Sequence, residues 1–104
     1  MKIQDFHIRK SAKEKISMVT CYDNWSAQII NATDVDTLLV GDSLAMVMHG
    51  YPSTVHATVS MMATHIAAVR RGAPDKFIVG DMPFLAARKS QNEVLDSVAE
   101  LMQA

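Results

Sequence analysis

Short apolar runs alternate along this chain with longer stretches in which apolar residues recur every three or four positions. Ile16–Thr20 (ISMVT), Thr37–Val40 (TLLV) and Phe77–Val79 (FIV) are brief and mostly apolar, which predicts buried strands. Asn24–Ala32 places Trp25, Ile29 and Ala32 on one helical face, behind Asp23 or Asn24 as N-cap. Thr58–Arg71 repeats Val59, Met62, Ile66 and Val69 at helical spacing, ends on two arginines that suit the helix dipole, and is stopped by Gly72 and Pro74. Ser90-Gln-Asn-Glu93 has the capping-box pattern and opens a helix carrying Val94, Leu95, Val98, Leu101 and Met102. Met1–Lys10 is expected to add a short leading helix, and Asp42–Ala57 reads as a long connection containing Gly50 and Pro52.

The order is βαβαβα, which implies a parallel sheet covered by helices. Three β/α units do not close a barrel of eight, which takes ~250 residues, and a three-stranded parallel sheet leaves long apolar edges exposed. Residues 1–104 are therefore expected to be the leading part of one larger domain; a complete small α/β domain is the alternative.

Composition narrows the function only coarsely. Of 104 residues, 49% are hydrophobic, and 10 Lys and Arg stand against 11 Asp and Glu. No basic field exists to hold a nucleic acid and no apolar run spans a bilayer, so neither partner is expected. The one cysteine, Cys21, cannot form an internal disulfide, and a reducing, cytoplasmic setting is expected. Cys21 lacks an obvious partner base and reads as a buried thiol rather than a nucleophile.

Two strands end alike, in Val40-Gly41-Asp42 and Val79-Gly80-Asp81. Ligands of parallel α/β folds sit beyond the carboxyl ends of the strands, and neighbouring strands run roughly 4.8 Å apart. Asp42 and Asp81 are thus expected to converge. Two close carboxylates repel unless a cation or proton intervenes, and a hard cation such as Mg²⁺ suits oxygen ligands of this kind. Either Asp alone is equally explained as a turn residue, and the repetition leaves the two readings balanced. Ser43 is a candidate to hold a ligand oxygen, with turn stabilisation as the plainer alternative. Tyr22 and Asp23 also follow a strand, and Asp23 reads as a cap. His7, His49, His56 and His65 form no close ligand pair by spacing and are assigned structural or solvated roles.

Several of these segments together resemble the ketopantoate hydroxymethyltransferase family. The resemblance rests on Leu39-Val40-Gly41-Asp42-Ser43-Leu44 with Met46, His49-Gly50-Tyr51, Ser53-Thr54-Val55 with Thr58, and His65 with Ala67–Pro74. Gly80-Asp81-Met82-Pro83-Phe84 and Val19-Thr20-Cys21-Tyr22-Asp23 are similar to the family's third- and first-strand motifs. The likeness runs from Ile16 to Ala104.

It implies a (β/α)₈ TIM barrel of which this chain holds roughly the first three β/α units, assembled as a homo-oligomer, usually a decamer. The implied activity is a one-carbon transfer in pantothenate biosynthesis. A hydroxymethyl group passes from 5,10-methylenetetrahydrofolate to the 2-oxoacid 3-methyl-2-oxobutanoate, through an enolate stabilised by Mg²⁺, to give 2-dehydropantoate. Asp42 and Asp81 match the family's metal-site carboxylates; Asp42, Ser43 and Asp81 match positions that hold the oxoacid. The family's substrate-contacting Lys, third metal-site carboxylate and catalytic Glu base belong to later strands, so no catalytic base is expected within this chain. Ala45 stands where the family usually has Gly, and His56-Ala57 where it has Pro-Val. Two other readings are a magnesium-dependent lyase of the phosphoenolpyruvate-utilising superfamily and a non-catalytic part-barrel interaction module.

Overall fold

The computed structural model describes residues 1–104 and contains a parallel sheet in the order β1-β2-β3, formed by Met18–Thr20, Thr37–Val40 and Phe77–Gly80. Met18 pairs with Thr37, which pairs with Phe77, and the ladder runs on to Val40 beside Gly80. Helix α1 (Ile3–Ser11) precedes the sheet, α2 (Asn24–Asn31) joins β1 to β2, and α4 (Val59–Gly72) leads into β3. A four-residue helix, α3 (Leu44–Val47), and a 3₁₀ turn at Thr54–His56 give the Asp42–Ala57 connection structure of its own. Helix α5 (Gln91–Gln103) comes last.

The helix starts follow local chemistry. Asp23 accepts the Ser26 N–H at 2.8 Å, Thr58 that of Met61 at 3.0 Å and Ser90 that of Glu93 at 3.3 Å, each satisfying a donor that a helix start leaves free. The apolar stripe of α4 points as its spacing predicts: Met62, Ile66 and Val69 are buried against Leu38 and Val40 of β2. Full burial of side chains of this size contributes about 1.5–3 kcal/mol each. Helices α2 and α4 approach closely at Gly72. A Cβ there would lie 2.6 Å from the Asn24 carbonyl oxygen and 2.8 Å from the Ala27 Cβ.

Two expectations from periodicity fail. Trp25 and Ile29 are 74% and 55% exposed and Ala32 is exposed as well, while Ala27 is the residue α2 turns inward. The helix meets α4 so closely that only a small side chain fits at the contact, and the large ones face outward. Similarly, β1 is three residues long rather than five and none of them is buried, and Phe77–Val79 of β3 is only half-buried, because β1 and β3 form the two edges of the sheet. Helix α5 buries no residue fully; Val94 and Leu101 are half-buried, and Leu95, Val98 and Met102 are exposed.

Candidate functional site at the strand ends

The register that sets Val40 beside Gly80 carries the two Gly-Asp sequences to the same end of the sheet. The Asp81 N–H donates to the Val40 carbonyl at 3.1 Å, extending the ladder by one bond. The Asp42 N–H in turn donates to Asp81 Oδ2 at 3.1 Å. A Cβ on Gly41 would lie 3.4 Å from that same oxygen and 3.5 Å from Ser43 Oγ, so the glycine keeps the space beside both groups narrow but free. Both aspartates are half-buried. Asp42 does not cap α3, and its carboxylate makes no hydrogen bond within the chain. The turn-residue reading therefore does not account for its side chain.

Ser43 is the N-cap residue of α3 by position, yet its side chain makes no cap hydrogen bond. Its Oγ lies 2.6 Å from the Tyr22 hydroxyl instead. Tyr22 follows β1, so all three strand ends contribute: Tyr22 from the first, Asp42 and Ser43 from the second, Asp81 from the third. Spacing placed Tyr22 on this side but did not pair it with Ser43. The only signal available beforehand was its position directly after a strand.

The Tyr22 main chain is held from behind, where His65 Nδ1 on α4 lies 2.6 Å from the Tyr22 carbonyl oxygen. Cys21, one residue earlier, is buried with its thiol 3.5 Å from the Asp23 carbonyl, and desolvation pushes its pKa up. That matches an inert thiol. Asp23 is occupied as the cap of α2.

Asp42, Ser43 and Asp81 form a shelf at the strand ends, with Asp81 Oδ2 and Ser43 Oγ both close to Gly41. The surface clefts lie elsewhere, and none is lined by Asp42 or Asp81. Chemically, the shelf offers carboxylate and hydroxyl oxygens only. That donor set fits a hard divalent cation and does not fit a soft one.

The family model for ketopantoate hydroxymethyltransferase matches residues 1–104. This chain belongs to the ketopantoate hydroxymethyltransferase family. Among relatives named 3-methyl-2-oxobutanoate hydroxymethyltransferase, one from Coxiella burnetii (strain Dugway 5J108-111) is 58% identical over 104 residues, all of this chain and 39% of the relative. One from Bdellovibrio bacteriovorus is 51% identical over 102 residues, 98% of this chain and 39% of the relative. One from Legionella pneumophila (strain Lens) is 49% identical over 104 residues, all of this chain and 40% of the relative. The chain thus spans about two fifths of the length of the curated relatives it matches. Ala45, where the resemblance leads one to expect glycine, is fully buried, and its methyl group packs into the core. Ala57 is buried too, whereas His56 is exposed and stacks on Tyr51 with ring centroids 4.9 Å apart. No helix is long and apolar enough to cross a membrane.

Proposed function

We propose that this chain forms one side of the active site of a hydroxymethyltransferase acting on 3-methyl-2-oxobutanoate, with 5,10-methylenetetrahydrofolate as one-carbon donor and Mg²⁺ as cofactor. The observation that carries the reading is the bond from the Asp42 main-chain N–H to Asp81 Oδ2, which holds the Asp81 carboxylate beside Asp42 and, across Gly41, near Ser43 Oγ. In this reading Asp42 and Asp81 hold the cation through oxygen atoms not committed to the fold. The cation supplies Lewis-acid stabilisation of the negative charge that develops on the oxoacid when its C3 proton is removed.

The chain's own residues bind and orient. In this reading the Tyr22 hydroxyl, 2.6 Å from Ser43 Oγ, acts as the donor of that pair, which frees the Ser43 proton to donate to the oxoacid carboxylate. Gly41, lacking a side chain, lets the substrate approach the backbone between Ser43 and Asp81. No side chain on the shelf is left to take the C3 proton, because both carboxylates are engaged with the cation. Residues 1–104 therefore supply binding, and the proton is taken by a group outside them.

The same reading makes residues 1–104 the N-terminal part of a single (β/α)₈ barrel that assembles with copies of itself. It is supported by the wholly exposed edge strand β1 and by the uncovered apolar residues of α2 and α5, which further β/α units would cover.

The test is titration of 3-methyl-2-oxobutanoate into the purified chain, followed by calorimetry, with and without Mg²⁺. Binding is expected only with Mg²⁺, and the chain is expected to show no transfer to the oxoacid. Equal binding without Mg²⁺ would remove the cation from the proposal. Mg²⁺-dependent turnover above a metal-free control would show that a base is present after all.

A further inference from the structure

A second cluster of ligating atoms lies behind the shelf, and the proposed transfer leaves it unused. His65 Nδ1 is 2.6 Å from the Tyr22 carbonyl oxygen. A carbonyl oxygen only accepts, so Nδ1 carries the proton, and in the neutral ring the lone pair resides on Nε2. That Nε2 points at the Nε2 of His49, 2.9 Å away, with the rings 85° apart in plane. One imidazole comes from helix α4 and the other from the Asp42–Ala57 connection, 16 residues earlier.

Two nitrogens facing each other in this way share one proton, or a Lewis acid takes the proton's place. A cation bound at zinc–nitrogen distances of ~2.0–2.1 Å in tetrahedral geometry holds two nitrogens roughly 3.3 Å apart. The adjustment needed from 2.9 Å is a few tenths of an ångström, and His49 is exposed on a connection with room to move. The back of the site is already set as metal sites set it, since a ligating imidazole ordinarily donates its other N–H to a carbonyl or carboxylate. A cleft of about 280 Å³, bordered by both histidines with Thr58, Ser60 and Thr64, gives room for water in the remaining positions. No third His, Cys, Asp or Glu joins the pair. Two imidazoles and water suit Zn²⁺, Ni²⁺ or Cu²⁺, and do not suit Mg²⁺, which wants oxygen.

We propose that His49 and His65 form a two-imidazole site for a divalent transition-metal cation, separate from the Asp42–Asp81 shelf. A bound cation ties the Asp42–Ala57 connection to α4. This inference does not depend on the proposed transferase activity.

The probe is Cu²⁺, added in increments to the purified protein and followed by electron paramagnetic resonance. The first equivalent is expected to show nitrogen hyperfine structure from two imidazoles. His49→Gln, an exposed change whose folding is checked by circular dichroism, is expected to remove one nitrogen and weaken binding at least about tenfold. Zn²⁺ is expected to displace the Cu²⁺ at stoichiometric amounts, and Mg²⁺ at millimolar concentration is not. Asp81→Asn is expected to leave the signal unchanged. An unaltered spectrum and affinity in His49→Gln would overturn the site. So would displacement by Mg²⁺ or loss of the signal in Asp81→Asn, since either result would place the cation on the carboxylate shelf.

Discussion

The two ends of the sheet both carry aspartates, and they treat them in opposite ways. At the end where the strands begin, Asp36 is saturated. It accepts from Arg9 Nη1 at 2.5 Å, from the Ser17 N–H at 2.8 Å and from Ser17 Oγ at 3.0 Å. The Arg9 bond, followed by the backbone bond from Ser17, holds the Asp36 pKa at about 2. At the end where the strands finish, the Asp42 carboxylate has no partner and Asp81 receives one backbone N–H. Both carboxylates at this end are half-buried. Neither carboxylate is a buried group left without a partner, so the oxygen atoms the fold does not use stay open to solvent and to a ligand. One end of the sheet is finished by the chain itself, and at the other the Asp42 carboxylate is uncommitted to the fold.

The largest expected effect separates the ends directly. Asp42→Asn and Asp81→Asn should each weaken Mg²⁺-dependent binding of the oxoacid about a hundredfold or more, while thermal unfolding without Mg²⁺ stays level or rises. Asp36→Asn should do the reverse, lowering the unfolding temperature with oxoacid affinity unchanged. Calorimetric binding and thermal unfolding on the same three variants decide the matter. Loss of folding in Asp42→Asn would mean that the shelf is structural after all.

A second test moves to the helix layer. Gly72 is the last residue of α4 and packs against Asn24 and Ala27 of α2. The nearest atom to an added Cβ is a backbone oxygen at 2.6 Å, which cannot swing aside as a side chain can. Gly72→Ala should cost about 1–3 kcal/mol in chemical denaturation, from overpacking. Gly80→Ala is the informative partner. Its nearest obstruction is the flexible end of Ile66, so a smaller loss is expected despite a similar 2.5 Å approach. Equal costs would show that backbone and side-chain obstructions yield alike here.

Acid titration sharpens the comparison further. The Asp36 pKa is lowered from 3.8 to about 2, so the folded state keeps this carboxylate charged where the unfolded chain takes up a proton. The resulting stability is fully present above 3.8 and is lost as the pH falls through that value towards 2. Asp36→Asn should flatten the stability profile between those limits and change little of its shape at neutral pH. The Arg9–Asp36 pair is partly open to solvent, with side chains 26% and 20% exposed, so added salt should shrink the effect.

What was legible in the sequence was local or repeated. Asp23 and Ser90 announce their helices because a cap needs only a side chain and an N–H three residues on, whereas Thr58, read as the first residue of its helix, proves to be the cap of α4. The paired Gly-Asp sequences announce a shared end because parallel strands bring equivalent positions together. Burial was less legible. Periodicity marks Trp25 and Ile29 as one face of α2, but it does not say which face meets α4, and the close contact at Gly72 selects Ala27. Contacts between distant residues left no local trace. Arg9 meets Asp36 across 27 positions and Tyr22 meets Ser43 across 21. His49 and His65 lack the spacing of a helical ligand pair because the connection between them, not one helix, sets their distance.

The smallest expected effect concerns how firmly the finished end is anchored. Helix α1 delivers Arg9 to Asp36 and then reverses through Lys13, whose φ of 58° lies in the left-handed region. The Lys13 N–H donates to the Lys10 carbonyl at 3.1 Å and the Glu14 N–H to the Arg9 carbonyl at 2.9 Å, the bond pair of a Schellman termination. Glycine usually occupies this position because a Cβ there crowds the backbone. Lys13→Gly should therefore stabilise the protein by about 0.5–1 kcal/mol, the relief of strain being partly offset by the greater freedom of glycine in the unfolded chain. Lys13→Ala removes the same charge but keeps the Cβ, and should give no such gain. If both variants unfold at the same denaturant concentration, strain at Lys13 does not limit the anchoring of Arg9. A gain confined to Lys13→Gly, with the acid profile unchanged in shape, would place the weak point of this end in the α1 turn and leave the Arg9–Asp36 bond intact.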